Sequence, residues 1–160
     1  MILFVISFLI FAAYVAYAVR LFGAPWSLSD TFYKLAAAGR PQWLFQAAMI
    51  GCAAMMLPAW LDAAPEGLQF LAFLTCAGVI FIGAAPLFKD EHLEKWVHLV
   101  ATVVAGLCAF AWSFAVCWPA PALLLLAAVI VMSKYRKWVF WAEIAAFASV
   151  YLTVFLRLIG

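Results

Sequence analysis

Long apolar runs broken by short polar clusters fill the chain from end to end. Six of them, residues 2–19, 42–61, 67–88, 95–117, 121–133 and 138–156, are apolar on all sides rather than along one stripe. The pattern predicts an all-α fold: an integral membrane six-helix bundle, one transmembrane domain over residues 1–160. Arg20 closes the first run, and Pro41 suits the first turn of the second. Asp62 to Glu66, with Pro65, reads as a tight acidic turn. From Trp96 to Ser133 no Asp, Glu, Lys or Arg interrupts the chain. One helix of that length would reach about 57 Å, nearly twice a bilayer core, so Pro119 and Pro121 mark a break. Met1 to Ala18 ends in a cleavage-like Ala16-Tyr17-Ala18 but lacks a positive leader, and is expected to stay as a helix. Between the first two spans, Ser27 and Asp30 fit a capped helix start. A short helix along the membrane surface, roughly Leu28 to Ala38 and closed by Gly39, is expected there.

Composition agrees with this reading. The chain is 71% hydrophobic and 10% charged, whereas a soluble domain carries about 25% charged residues. Net charge is only +2 and the basic residues sit at span ends, so nucleic acid is excluded as a partner. Six spans put Arg20, Lys34, Arg40, Lys89, Lys95, Lys134, Arg136 and Lys137 on one side, eight of the nine basic residues. The positive-inside rule makes that side cytoplasmic and both termini non-cytoplasmic, in a multi-pass protein of the inner membrane. Tryptophans at both ends of the spans form an aromatic belt in contact with the lipid bilayer. Cys52, Cys76, Cys108 and Cys117 lie in or at the edge of apolar runs without a CxxC pair, as small hydrophobes do. Small-residue surfaces at Gly51, Ala53 and Ala54, and at Ala101, Ala105 and Gly106, offer close helix packing or an oligomer contact.

The candidate chemistry lies near the cytoplasmic ends of the spans. Glu143 sits six residues past Lys137, about 9 Å into the last span. An ionisable residue at that depth is a functional candidate by default, and pinning a helix contact through a hydrogen bond is the plain alternative. His98 lies at similar depth, so Glu143 and His98 are the catalytic candidates, expected to meet as a proton or ligand-binding pair. For His98 the plain alternative is a core histidine bonded to a backbone carbonyl. Read as a helix, Asp90, Glu91, Glu94 and His98 share one arc of roughly 100° while His92 stands apart. Glu94 and His98 at i and i+4, with Asp90 and with Asp30 from the first loop, form a candidate metal set for a divalent ion such as zinc. Solvated acids in a first helical turn are the alternative for that stripe. Ser29 reads as a cap before it reads as a nucleophile. An internal echo links Phe22-Gly23-Ala24-Pro25, ahead of Asp30, to Ile82-Gly83-Ala84-Ala85-Pro86, ahead of Asp90.

At Ser27-Leu28-Ser29-Asp30-Thr31-Phe32-Tyr33, and at Ala85-Pro86-Leu87-Phe88-Lys89-Asp90 followed by Glu94 and Val97-His98, the chain resembles a group of small bacterial polytopic membrane proteins. That resemblance implies a polytopic bundle and no particular activity. A more distant similarity is to membrane hydrolases of the ceramidase and progestin-receptor type, which use a serine, an aspartate and several histidines around zinc. Ser29, Asp30, Asp90, His92 and His98 are the counterparts here; the third histidine and the seventh span of that pattern have none.

Together these features lead to a polar site in the cytoplasmic leaflet binding a cation, a proton or a lipid head group, with metal-dependent hydrolysis as its enzymatic form. A proton-coupled small transporter or channel subunit, and a non-catalytic assembly protein, are the rivals.

Overall fold

The computed structural model describes residues 1–160. It is all-α, with seven helices and no strands: α1 Ile2–Phe22, α2 Asp30–Ala37, α3 Trp43–Ala63, α4 Gln69–Ala84, α5 His92–Cys117, α6 Pro119–Tyr135 and α7 Trp138–Ile159. Four of them, α1, α3, α5 and α7, are long and apolar enough to cross a membrane; α4 and α6 are shorter apolar helices.

Local chemistry sets the ends of these helices. Gly23, at φ 66°, ends α1 with its N–H on the Val19 carbonyl, a backbone state that glycine adopts at little cost. Ala85-Pro86 stops α4 earlier than the expected residue 88, because Pro86 disfavours helix at the residue before it. Trp118 alone separates α5 from α6, and Pro119 occupies the first turn of α6, where a missing N–H costs nothing. The break expected at the prolines is therefore present, but so tight that both helices run up to it.

Packing order differs from chain order. Helix α3 packs on α1 and α4, α5 packs on α4 and α7, and α6 lies mainly against α7. Aromatic rings bridge α1 to α7, with Phe11 stacked on Phe147 at 4.2 Å and Phe8 edge-on to Tyr151 at 5.4 Å. Helices α1, α3, α4, α5 and α7 thus close a ring, and α6 flanks it. Ser7 Oγ donates to the Cys52 carbonyl and pairs with the Tyr151 hydroxyl, tying α1, α3 and α7 together inside that ring. Leu93, Leu107, Leu123 and Ile130 project outward and stay exposed.

The short helix differs from the expectation. Helix α2 begins at Asp30, not Leu28, and does not simply lie on the surface: Leu28, Thr31, Phe32 and Leu35 are buried, Thr31 fully. The first loop and α2 fold into the end of the ring as a plug. Tyr14 of α1 bonds Thr31 of α2, and the Thr31 hydroxyl donates to the Leu28 carbonyl. Ser27 supplies the expected cap, its Oγ accepting the Asp30 N–H at 3.1 Å.

Candidate functional site

Below the plug lies an elongated cavity of about 240 Å³ between α3, α4, α5 and α7. Its wall on α3 runs from Met49 to Trp60 and on α7 from Trp138 to Tyr151. The eleven steps from Met49 to Trp60 cover about 16 Å along the axis. The cavity is therefore drawn out along the helix axes into an apolar slot. Of 24 lining residues 19 are hydrophobic, and none is Lys, Arg or His. Glu143 is the one carboxylic acid among them.

The helical register brings Glu143 to the slot. Residues 139, 142, 143, 146, 147, 150 and 151 line it from α7, the i, i+3, i+4 spacing of one helix face. Glu143 Oε2 accepts the Leu28 N–H at 2.7 Å. One turn earlier, the Phe140 N–H, left unpaired by helix geometry at the start of α7, donates to the Trp26 carbonyl at 3.0 Å. These two bonds stitch the first loop onto α7. The second carboxyl oxygen, Oε1, has no protein partner yet is not sealed off. Glu143 is set deep among protein atoms but keeps partial accessible surface, and that surface is the cavity wall. Ser29 also lines the slot; although it stands at the N-cap of α2, its hydroxyl caps nothing and is unsealed. At the far end, Trp60 meets Trp112 edge-on at 5.2 Å, and both indole N–H groups are sealed without partners. Polar recognition is therefore concentrated at the Glu143 end.

Glu143 and His98 do not form the expected pair. Each takes a backbone partner instead: Leu28 N–H for Glu143, and the Ala85 carbonyl for His98 Nδ1, at 3.1 Å. His98 is buried, and its ring stacks on Phe88 at 4.3 Å. That is the core-histidine arrangement, and its work is to hold the turn between α4 and α5.

The acidic stripe also differs, because α5 starts only at His92. Glu91 is the extended N-cap residue and Asp90 belongs to the preceding turn, so a single helical arc does not contain all four groups. Glu94 reaches back to accept the Leu87 N–H at 2.8 Å. Asp30 pairs with Lys89, while Asp90 is exposed. His92 faces outward and accepts the Trp96 indole N–H at 3.3 Å. No three His, Cys, Asp or Glu side chains converge as a metal would need. Asp30, Asp90, Glu94 and His98 instead surround a clasp.

The clasp joins the two echoing segments. Besides the Asp30–Lys89 pair, the Lys89 N–H donates to the Tyr33 hydroxyl at 2.9 Å. Lys89 Nζ lies 4.7 Å from the Tyr33 ring centroid, and Phe88 meets the same ring edge-on. Burial raises the Tyr33 pKa above the ordinary tyrosine value, partly countered by the Lys89 N–H and reinforced by the negative charge of Asp90 and Glu94. The echo was visible in the sequence; the contact between its halves was not.

Comparison with known proteins gives no match to a family model, to a curated protein or to a solved structure.

Proposed function

We propose that this chain is a six-span inner-membrane protein that binds one single-chain amphiphile in the slot, with the polar end at Glu143. The observation that carries this is a carboxyl group with one bonded and one free oxygen at the head of an elongated apolar cavity. Mostly apolar pockets with a few convergent polar groups are the usual form of a ligand site. A chain threaded between four helices replaces empty space by close contact, and the polar group at one end sets its direction.

The six-span arrangement draws on α4 and α6 as well as the four longer helices. At 16 and 17 residues they cover about 24–26 Å, and apolar flanks such as Leu68 and Trp118 extend them. Both termini are then non-cytoplasmic, and the plug, the clasp and the head of the slot face the cytoplasm with eight of the nine basic residues. No metal-assisted step is assigned, because Asp30, Glu94 and His98 are engaged by Lys89, Leu87 and Ala85 and no three such side chains converge.

The test uses 10-bromodecan-1-ol as a chain whose bromine quenches tryptophan fluorescence in the detergent-purified protein. Saturable quenching is expected. Gly106 borders the slot with open space where a side chain would project, so Gly106→Leu, and likewise Ala146→Leu on α7, should weaken it. Quenching that never saturates, or that ignores both substitutions, overturns the proposal.

A further inference from the structure

The chemistry around Glu143 says which head group the slot selects. Oε1 has no donor from the protein, and no basic residue lines the cavity. The Lys89–Asp30 contact is the single salt bridge of the structure and does not involve Glu143. A carboxylate among apolar walls is costly to leave without a counter-charge. The Leu28 N–H satisfies one oxygen and supplies no full positive charge. Ser29 adds a second free oxygen at the same end, able to accept a hydrogen bond. Trp138 and Phe147 in the wall are ring types whose faces attract cations.

We infer that the slot is selective for a long-chain primary amine, bound as its ammonium with one N–H to Glu143 Oε1 and a second to Ser29 Oγ. This rests on the amphiphile reading above and narrows it to one head-group class. A long-chain alcohol offers Oε1 a single uncharged donor and binds more weakly. A fatty acid brings an anion between apolar walls that hold no cation, and binds least.

The experiment sets decylamine, decan-1-ol and decanoate at neutral pH to displace 10-bromodecan-1-ol from the wild-type protein, from Glu143→Gln and from Ser29→Ala. Charge-assisted hydrogen bonds exceed neutral ones by enough to make decylamine about tenfold tighter than decan-1-ol on the wild type. Decanoate should displace the probe least. Glu143→Gln keeps an acceptor for Leu28 and should erase the amine preference while leaving decan-1-ol binding in place; Ser29→Ala should reduce the preference in part. Amine and alcohol within twofold of each other on the wild type, or a preference that survives Glu143→Gln, would overturn the inference and leave chain binding standing. Failure of all three compounds to displace a saturably bound probe would overturn the inference together with the straight-chain reading.

Discussion

The main-chain N–H of Leu28 and the carboxyl of Glu143, 115 residues apart in sequence, meet at 2.7 Å. That bond fixes the plug to α7 and leaves the other oxygen facing the slot, so one side chain serves both the fold and the site.

Two substitutions of Glu143 should therefore separate. Glu143→Ala strips the Leu28 N–H of its acceptor at a residue that is 2% exposed. An orphaned buried donor costs about 1–3 kcal/mol. Glu143→Gln retains a carbonyl oxygen at the same position and should lose about 1 kcal/mol or less. Thermal unfolding in detergent measures both. Equal loss in the two variants would mean that the Leu28 bond does not hold the plug.

Close packing of α4 on α5 makes Gly78 the position least tolerant of a side chain. An added Cβ would come within 2.8 Å of the Ala101 carbonyl oxygen and 2.9 Å of the Ala105 Cβ. One of those contacts is backbone, so the helices must separate. Gly78→Ala should destabilise by about 1–3 kcal/mol, the range for overpacking a filled interior. Gly51→Ala meets only the tip of Ile10 at 3.6 Å and should be near neutral. Parallel denaturation of the two variants checks the contrast, and an equally tolerant Gly78 would show that α4 and α5 are free to move apart.

The sequence was legible wherever a single segment determined its own structure. Each apolar run became a helix, and Pro86, Pro119 and Pro121 stand at or near helix boundaries, because run length and proline act locally. Glu143 stood out for the same reason, since its depth follows from its distance to Lys137. What could not be read were partners supplied by distant segments. Leu28 as the partner of Glu143, Ala85 as the partner of His98, and Gly78 rather than Gly51 as the closest approach all depend on tertiary register. The acidic stripe was misread because periodicity assumes an unbroken helix, and Pro86 with the turn before His92 breaks it. Helix α2 looked interfacial from its capped start and its place between the first two spans; Tyr14 and Glu143, from other helices, fasten its segment inside.

Because Tyr33 holds the clasp through its neutral hydroxyl, the turn over residues 85–91 should loosen in alkali. Its raised pKa means that folding favours the protonated phenol. The contribution is complete below the ordinary tyrosine value of about 10 and fades as pH climbs through the higher folded-state value. A nitroxide on Leu87→Cys, at an exposed side chain, should gain mobility over that rise. Tyr33→Phe should be mobile already at neutral pH. His98→Ala, which removes the Ala85 bond and the Phe88 stack, should mobilise the label as well. A label equally rigid in all three proteins would refute the clasp.

Inside the ring, Ser7 and Tyr151 offer a test of whether their hydroxyl pair is held for stability. The Tyr151 hydroxyl has Ser7 Oγ as its partner at 2.8 Å, and Ser7 Oγ in turn donates to the Cys52 carbonyl at 2.7 Å. Ser7→Ala leaves a buried phenol without a partner, at about 1–3 kcal/mol. Tyr151→Phe removes the phenol itself while Ser7 keeps the Cys52 carbonyl, so about 1 kcal/mol or less is expected. Combining them removes both members of the pair, and the double variant should be more stable than the sum of the single losses predicts. Unfolding of the four proteins under one detergent condition measures this coupling. Strict additivity would show that the hydroxyls do not support one another, leaving the rings of Phe4, Phe8 and Phe11 around Tyr151 as the contact that joins α1 to α7.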